Sequence, residues 1–183
     1  MRVRYSLFTL LLVLAVAGCT ATSNMDDAPT PVASDDQAQI YAATIRQIYT
    51  VDHSFGEAPG WPLVYVVSTT DDSVMGDAPS AASQNLSPEL QDAITAELAE
   101  EPFQLIWIDE REGAPIDPTN GQVANGKGIV ISLGNIHPQD DGSVQLSFFM
   151  TCGGLCGIGK TYVLSQVDGA WQVTGSVGPE IIS

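Results

Sequence analysis

The sequence predicts an α+β domain in which two helices pack on one face of a mostly antiparallel, five- to six-stranded meander sheet. Three observations predict this fold. In the first half, two segments carry apolar residues at spacings of three and four, as amphipathic helices do. From Pro102 onward the chain consists of short apolar or alternating segments typical of strands. Asp168-Gly169, between two of these segments, is a strong signal for a two-residue hairpin.

The first helix is predicted after residue 37, where four apolar side chains fall on one face: Tyr41, Ile45, Ile48 and Tyr49. Asp35 or Asp36 is available as its N-cap. Residues 56–62 break the pattern with glycine and proline. The next run, Leu63 to Val67, is β-branched and aromatic and is expected to form a buried strand.

The second helix is predicted from its start signals. Ser87 is placed to cap it, and Pro88 suits the first helical turn. Leu90, Ile94 and Leu98 then line one face, and the helix should end near residue 100.

The second half predicts five strands: Phe103 to Ile108, Gly128 to Ile136, Val144 to Thr151, Lys160 to Gln166 and Trp171 to Gly175. The third of these alternates most clearly between apolar and polar residues, so one face is core and the other is wet. Residues 137–142 are expected to close the hairpin before it. Small cystatin-like or nuclear-transport-factor-like domains resemble this arrangement in outline, which implies a fold and no activity.

The N-terminus contains a basic and then an apolar segment. Arg2 and Arg4 precede an apolar run over residues 7–17, which is too short to span a bilayer as a helix. Small residues then lead to Cys19 in the sequence Leu14-Ala-Val-Ala-Gly-Cys19. This segment resembles the signal of bacterial lipoproteins. The resemblance implies that a lipid-modifying transferase acylates Cys19 and that a signal peptidase cleaves before it.

The resemblance divides the chain into three parts. Residues 1–18 are a cleaved signal peptide, and residues 19–36 are the lipidated cysteine and a disordered tether rich in Ala, Ser, Thr, Pro and Asp. Residues 37–183 are a single globular domain outside the cytoplasm. Thr20 in place of aspartate after the cysteine implies, in a Gram-negative organism, sorting to the outer membrane. An ordinary secretory signal with a chance cysteine is the alternative.

The processed chain is strongly acidic. Without Arg2 and Arg4 it retains four basic against 22 acidic residues, a formal net charge of −18. Such a surface repels phosphate backbones and anionic headgroups, so nucleic-acid binding and electrostatic membrane docking are disfavoured. Membrane attachment is therefore expected through the acyl chains on Cys19.

Two cysteines remain once Cys19 is acylated. Cys152 and Cys156 form an even pair in an oxidising compartment, and the glycines between them allow the backbone to bring the two sulfurs together. A structural disulfide is the first interpretation. Free thiols, or a redox or metal role, are the alternatives.

Residues 154–161, GLCGIGKT, match the phosphate-binding loop pattern G-x-x-x-x-G-K-[ST]. That mechanism requires a helix beginning at Lys160, and the residues after it are typical of a strand. We therefore expect the glycines to shape a wide hairpin loop, with Lys160 at the start of a strand, and no nucleotide binding.

Other chemistry-bearing residues give no coherent site. Asp52-His53-Ser54 has the residue types of a hydrolase triad, but sequence neighbours cannot form the relay, and we interpret His53 as a surface residue. His137, beside Pro138, is expected in a turn. No catalytic residue, metal or cofactor is therefore assigned.

A possible calcium loop and three tryptophans are the remaining candidates for ligand binding. Residues 117–121 offer oxygen ligands in a turn, with acids at 109, 110 and 112 just upstream, but the spacing does not fit an EF-hand. Trp107 and Trp171 lie in strand patterns and are expected in the core. Trp61, between glycine and proline, is the better candidate for an exposed recognition residue.

The final hairpin, residues 159–175, resembles the closing hairpin of many uncharacterised exported bacterial proteins, and that resemblance implies no chemistry. The leading hypothesis is a membrane-anchored cell-envelope lipoprotein with a small acidic, non-catalytic domain that binds an envelope protein or small ligand or has a structural role. The alternatives are an envelope hydrolase that uses carboxylates, and a calcium-dependent adhesion or sensor module.

Overall fold

A computed structural model describes residues 32–53, 60–75 and 82–183 of the chain. The signal segment, Cys19 and residues 20–31 lie outside the described residues. Within the described part, two α-helices and one seven-stranded sheet form an α+β domain. The elements in chain order are α1 (Ser34–Thr50), β1 (Leu63–Val67), α2 (Pro88–Glu97), β2 (Gln104–Ile108), β3 (Gly128–Leu133), β4 (His137–Pro138), β5 (Val144–Gly153), β6 (Cys156–Val167) and β7 (Ala170–Ile182).

The sheet is mixed, with the strand order β2-β1-β3-β5-β6-β7 and β4 paired to β5. β1 is parallel to both of its neighbours, so Leu63 pairs with Gln104 on one side and with Gly128 on the other. The remaining pairs are antiparallel. The predicted meander is therefore wrong for the first half of the sheet. The segment that contains α2 returns the chain to the starting end of β1, and this crossover makes β2 parallel to it.

Both helices pack on the same face of the sheet. The main core joins α1 and α2 to alternate residues of the central strands, and along β5 these are Val144, Leu146, Phe148 and Met150. The alternation that predicted this strand thus assigns its core face correctly. None of the helices in the described ranges has the length and apolar character needed to cross a membrane.

A smaller core lies on the opposite face. Tyr65 and Val130 pack there against Ala114, Val123 and Ala124, which belong to the segment between β2 and β3. That segment covers the parallel half of the sheet, so β1 is buried on both faces. Strands of this kind are continuous apolar runs, as LVYVV is.

The helix starts differ in how well the sequence predicted them. α2 begins as expected, with the Ser87 Oγ accepting a hydrogen bond from the Leu90 N–H at 3.3 Å. α1 instead begins at Ser34, with Ala33 as the N-cap and both Asp35 and Asp36 in its first turn. Residues 34–36, which were expected in the tether, are therefore helical. Carboxylates in a first turn are stabilised by the helix dipole without capping it.

Two hairpins connect β5, β6 and β7. Asp168 and Gly169 have positive φ angles of 52° and 82° and form the predicted turn. The turn between β5 and β6 contains only Gly154 and Leu155, so the predicted wide loop is wrong and Lys160 lies inside β6 instead of at its start. Gly157 allows β5 and β6 to stay paired close to the turn. A Cβ at this position would lie 3.1 Å from the Phe149 ring, which is too close for a larger residue.

Candidate functional site

The most polar buried cluster lies at the end of β3. Asp72 opens a short 3-10 helix that packs against β5 and β6, and its side chain is almost entirely buried. Gly134 follows β3 and allows this approach. A Cβ there would lie 2.8 Å from the Asp72 Oδ1 and would collide with the Ser147 hydroxyl, so only glycine fits.

Three groups hold the Asp72 carboxylate. Its Oδ1 accepts the Asn135 backbone N–H at 2.8 Å, and its Oδ2 accepts the Asn135 side-chain amide at 2.7 Å. Oδ2 also accepts the His137 Nε2–H at 3.1 Å. Burial alone would raise the pKa of the Asp72 carboxyl, but the hydrogen bonds from Asn135 and His137 outweigh it and hold the pKa below its usual value. Asp72 is therefore an ionised acceptor that fixes its neighbours.

The same cluster extends to Thr70 and Tyr41. The Thr70 hydroxyl donates to the Asn135 Oδ1 at 2.7 Å, so both ends of the Asn135 amide are held. The Tyr41 hydroxyl, on α1, donates to the Gly134 carbonyl at 3.4 Å. Burial, with the nearby negative charge of Asp72, raises the pKa of Tyr41, which keeps its phenol neutral.

A groove runs beside this cluster. It consists of two cavities, of about 420 and 220 Å³, that share Gln37, Tyr41 and Gln84 in their walls. Asn135 lines the smaller cavity, and Asp35 and Glu89 lie at the larger one. The volume of the larger cavity is typical of small-molecule sites. We refer to these two adjacent cavities together as the polar groove.

A second, half-buried carboxylate joins the end of α1 to the sheet. Asp52 accepts from the Lys160 ammonium and from the Tyr162 hydroxyl, each at 2.6 Å. Burial opposes ionisation of Asp52, but the hydrogen bonds and charge of Lys160, with the Tyr162 hydrogen bond, lower its pKa. Burial also opposes the charged form of Lys160, yet Asp52 and Glu180 outweigh it and raise the Lys160 pKa. Lysine 160 of the phosphate-loop pattern therefore has a structural partner.

The structure corrects the interpretation of two residues near this cluster. His53 is buried instead of exposed, and its Nδ1 has no hydrogen-bond partner among the described residues. Ser54 lies outside the described residues. Trp61, expected to be exposed, is buried, and its carbonyl accepts from the Tyr49 hydroxyl at 3.2 Å. Gly60 and Pro62, on either side of it, are exposed, so the chain bends at the surface while the Trp61 side chain points into the core.

The two other tryptophans lie at the margin of the core. Trp107 and Trp171, expected in the core, are half-buried and pack against it from the edge. Their indole N–H groups donate to Thr95 Oγ1 at 3.1 Å and to Asp36 Oδ1 at 2.9 Å. Trp171 thus ties the start of α1 to β7.

The cysteine pair lies at the tip of the β5-β6 hairpin. Cys152 and Cys156 are joined by a disulfide, with Cα atoms 5.3 Å apart. Leu155 in the turn is 90% exposed. The loop around Asp117 packs beneath this turn, since a Cβ at Gly121 would lie 2.9 Å from the Gly154 nitrogen. Asp117 Oδ1 accepts the Thr119 N–H at 2.8 Å, so this carboxylate shapes its own turn.

Residues 109, 110 and 112, the acids upstream of that turn, are all exposed. Across the ranges 32–53, 60–75 and 82–183, no three His, Cys, Asp or Glu side chains are grouped so that they could hold a metal ion. The calcium interpretation therefore gains no support from these residues.

Sequence reasoning missed the Asp72 cluster. Asp72 and His137 are 65 positions apart, and each is locally an ordinary polar residue. The one signal that could have found it is Gly134-Asn135, which interrupts an otherwise apolar strand pattern at the sheet end. Comparison of the chain with protein-family models, curated proteins and solved structures finds no match.

Proposed function

We propose that this chain is a lipid-anchored cell-envelope protein whose α+β domain binds a ligand without chemical turnover. The observation that carries the binding half of the proposal is the polar groove, whose floor is fixed by the Asp72 cluster. The lipid-anchor half rests on the resemblance of residues 1–19 to bacterial lipoprotein signals. Its partners would be the membrane, through Cys19, and the lipoprotein-processing enzymes.

The position of the groove supports the combination of ligand binding with a lipid anchor. Val32 lines the smaller cavity, and Ser34 and Asp35 line the larger one, so the groove lies where the domain joins the segment that follows Cys19. Val32 lies thirteen positions after Cys19, and a fully extended chain of that length reaches at most about 45 Å. An anchored domain would therefore hold the groove close to the membrane surface.

A hydrolase is the second candidate, because the hydrogen bond between Asp72 and His137 could orient an imidazole base. Two observations favour binding instead. Within the described residues, no serine or cysteine side chain is hydrogen-bonded to His137. A carboxylic acid that works near pH 7 needs a raised pKa, whereas those of Asp52 and Asp72 are lowered.

The anchor is tested with the full chain expressed in a bacterium that processes lipoproteins, in the presence of a labelled fatty acid. The wild-type chain should take up the label, and its processed form should begin at Cys19 and sediment with membranes. Cys19→Ser should lose the label and the cleavage. Val16→Leu is the matched control, because it changes the same segment and should preserve both. Label retained by Cys19→Ser, or absent from the wild type, would contradict the proposed anchor.

A further inference from the structure

We infer that the polar groove binds an uncharged saccharide. The inference rests on the proposed binding function and names its ligand class. The two cavities are adjacent, since three residues line both, and their side chains come from α1, from the segment 84–87, from α2 and from residues 135–138 after β3. Two adjacent cavities suit a ligand of two or three rings better than a single compact group.

The charges around the groove exclude anions. Among the residues that the structure describes, no lysine, arginine or histidine lines either cavity. In the described part of the chain Arg46 pairs with Glu101, and Lys160 pairs with Asp52. The carboxylates at the groove, Asp35 and Glu89, add negative potential. A phosphate or carboxylate ligand would therefore be repelled, and no lining cation would compensate for its lost hydration.

The hydrogen-bonding groups of the groove suit hydroxyls. Gln37 uses its Nε2 on the Val32 carbonyl, which leaves its Oε1 as an acceptor. Asn85 uses its Oδ1 on the Thr69 hydroxyl, which leaves its Nδ2 as a donor. The Gln84 side-chain amide has no hydrogen bond to the other described residues. Donors and acceptors are thus mixed, and a saccharide hydroxyl can donate and accept at once.

Apolar side chains supply the other requirement for a sugar. Six of them line the two cavities beside the amides: Val32, Leu86, Leu90, Ala93, Ile136 and Pro138. The C–H face of a sugar ring can pack on such a surface while its hydroxyls reach the amides. This mixture of apolar contact with a few placed polar groups is general in ligand sites.

A peptide added as a strand fits the groove less well. Such binding needs a row of unpaired backbone groups. The segment that lines the groove already uses its backbone, because the Leu86 N–H donates to the Ser68 carbonyl and the Gln84 carbonyl accepts the Thr70 N–H. The unused groups are side chains, and Thr70 and Asp72 fix the floor by holding Asn135. The site is therefore ordered before a ligand arrives.

The test is a titration of the ¹⁵N-labelled chain from which only the signal segment has been removed. Amide NMR follows the signals of residues 32–183. Maltotriose and tri-N-acetylchitotriose are the uncharged probes, trigalacturonate is the anionic one, and trilysine is the cationic one. At least one uncharged trisaccharide should shift the side-chain amide signals of Gln37, Gln84 and Asn85. Trigalacturonate should leave them unchanged.

Variants then assign the site. Gln84→Ala should weaken saccharide binding about tenfold, because it removes one hydrogen-bonding group from the groove. Gln172→Ala, an exposed glutamine on β7, is the matched control and should bind as the wild type does. A retained amide spectrum shows that each variant is folded.

Three outcomes would overturn the inference: neither trisaccharide shifts the groove signals, trigalacturonate binds as tightly as they do, or Gln84→Ala keeps full affinity. If trilysine alone binds at the groove, the saccharide inference fails and the proposed binding function stands. If no probe affects the groove, the binding half of the proposed function fails as well. Membrane anchoring is decided separately by the Cys19 experiment.

Discussion

Two aspartates, the half-buried Asp52 and the buried Asp72, show two ways of keeping a carboxylate ionised in one small domain. Asp52 is held by a cation, Lys160, and by the phenol of Tyr162. Asp72 is held by the neutral amide of Asn135, by that residue's backbone N–H and by His137. The first arrangement links the end of α1 to β6. There the Tyr162 ring packs on the Phe148 ring, with 4.7 Å between the two ring centroids. The second fixes an amide at the wall of a groove.

The difference indicates separate roles. The Lys160 ammonium neutralises the Asp52 carboxylate and links the end of α1 to β6. Because these two groups bind each other, neither is free to bind a ligand. A carboxylate held mainly by the amide groups of Asn135 instead orients that residue, so that Asn135 presents a defined surface to the smaller cavity. We therefore assign the Asp52 cluster to stability and the Asp72 cluster to stability and site geometry together.

The largest expected effect comes from removing Asp72. Asp72→Ala leaves the buried N–H groups of Asn135 without an acceptor, and we expect the free energy of unfolding to fall by about 3 kcal/mol. Its neighbour Asp71 is the control, since it accepts only from the exposed Ser73, and Asp71→Ala should cost under about 1 kcal/mol. Urea denaturation measures both. Equal losses for the two variants would contradict the role given to Asp72.

A smaller effect is expected from Lys160→Met, which leaves Asp52 with Tyr162 but without its cation. We expect a loss of about 2 kcal/mol, and the double variant Asp52→Asn with Lys160→Met should recover part of it. Arg46→Met is the control, because the arginine side chain of its pair with Glu101 is 42% exposed and so better solvated than that of Lys160, and it should cost at most about 1 kcal/mol. A double variant no more stable than Lys160→Met alone would show that the two side chains are not coupled.

The smallest expected effect is the change in unfolding free energy at acidic pH. The pKa values of Asp52 and Asp72 are lower in the folded chain than in the unfolded one, so each stabilises the fold above its unfolded pKa of about 3.9. That contribution is lost as the pH falls through the folded pKa. The gap in unfolding free energy between wild type and Asp72→Asn or Asp52→Asn should therefore narrow from pH 6 to pH 3. Denaturation at each pH measures it, and Asp140→Asn, an exposed site, should show no such narrowing.

The features that the sequence predicted correctly have short-range causes. Ser87-Pro88 starts α2 through contacts within one turn, and Asp168-Gly169 turns the chain because their backbone accepts positive φ. The alternation along β5 likewise depends only on one strand and the face it buries. Such signals are complete within a few residues, so they remain valid in the folded domain.

What could not be predicted depends on distant residues. Nothing near β1 indicates that it lies between β2 and β3, because a buried apolar run suits either pairing direction. Asp72 meets Asn135 and His137 only after β3 has been placed, and Asp52 meets Lys160 only after β6 has. The residues of the candidate site are therefore plain in the sequence, but no local pattern among them predicts that they meet.

The parallel position of β1 has a consequence for the order of folding. Two-residue turns join β5 to β6 and β6 to β7. These strands can pair early in folding, because each loop to be closed is short. β1 must wait for residues 104–133, since both of its partners come later in the chain. The C-terminal hairpins are thus suited to form the nucleus, and the insertion of β1 is suited to be the slow step. Until then the N-terminal half of the domain exposes its most apolar strand.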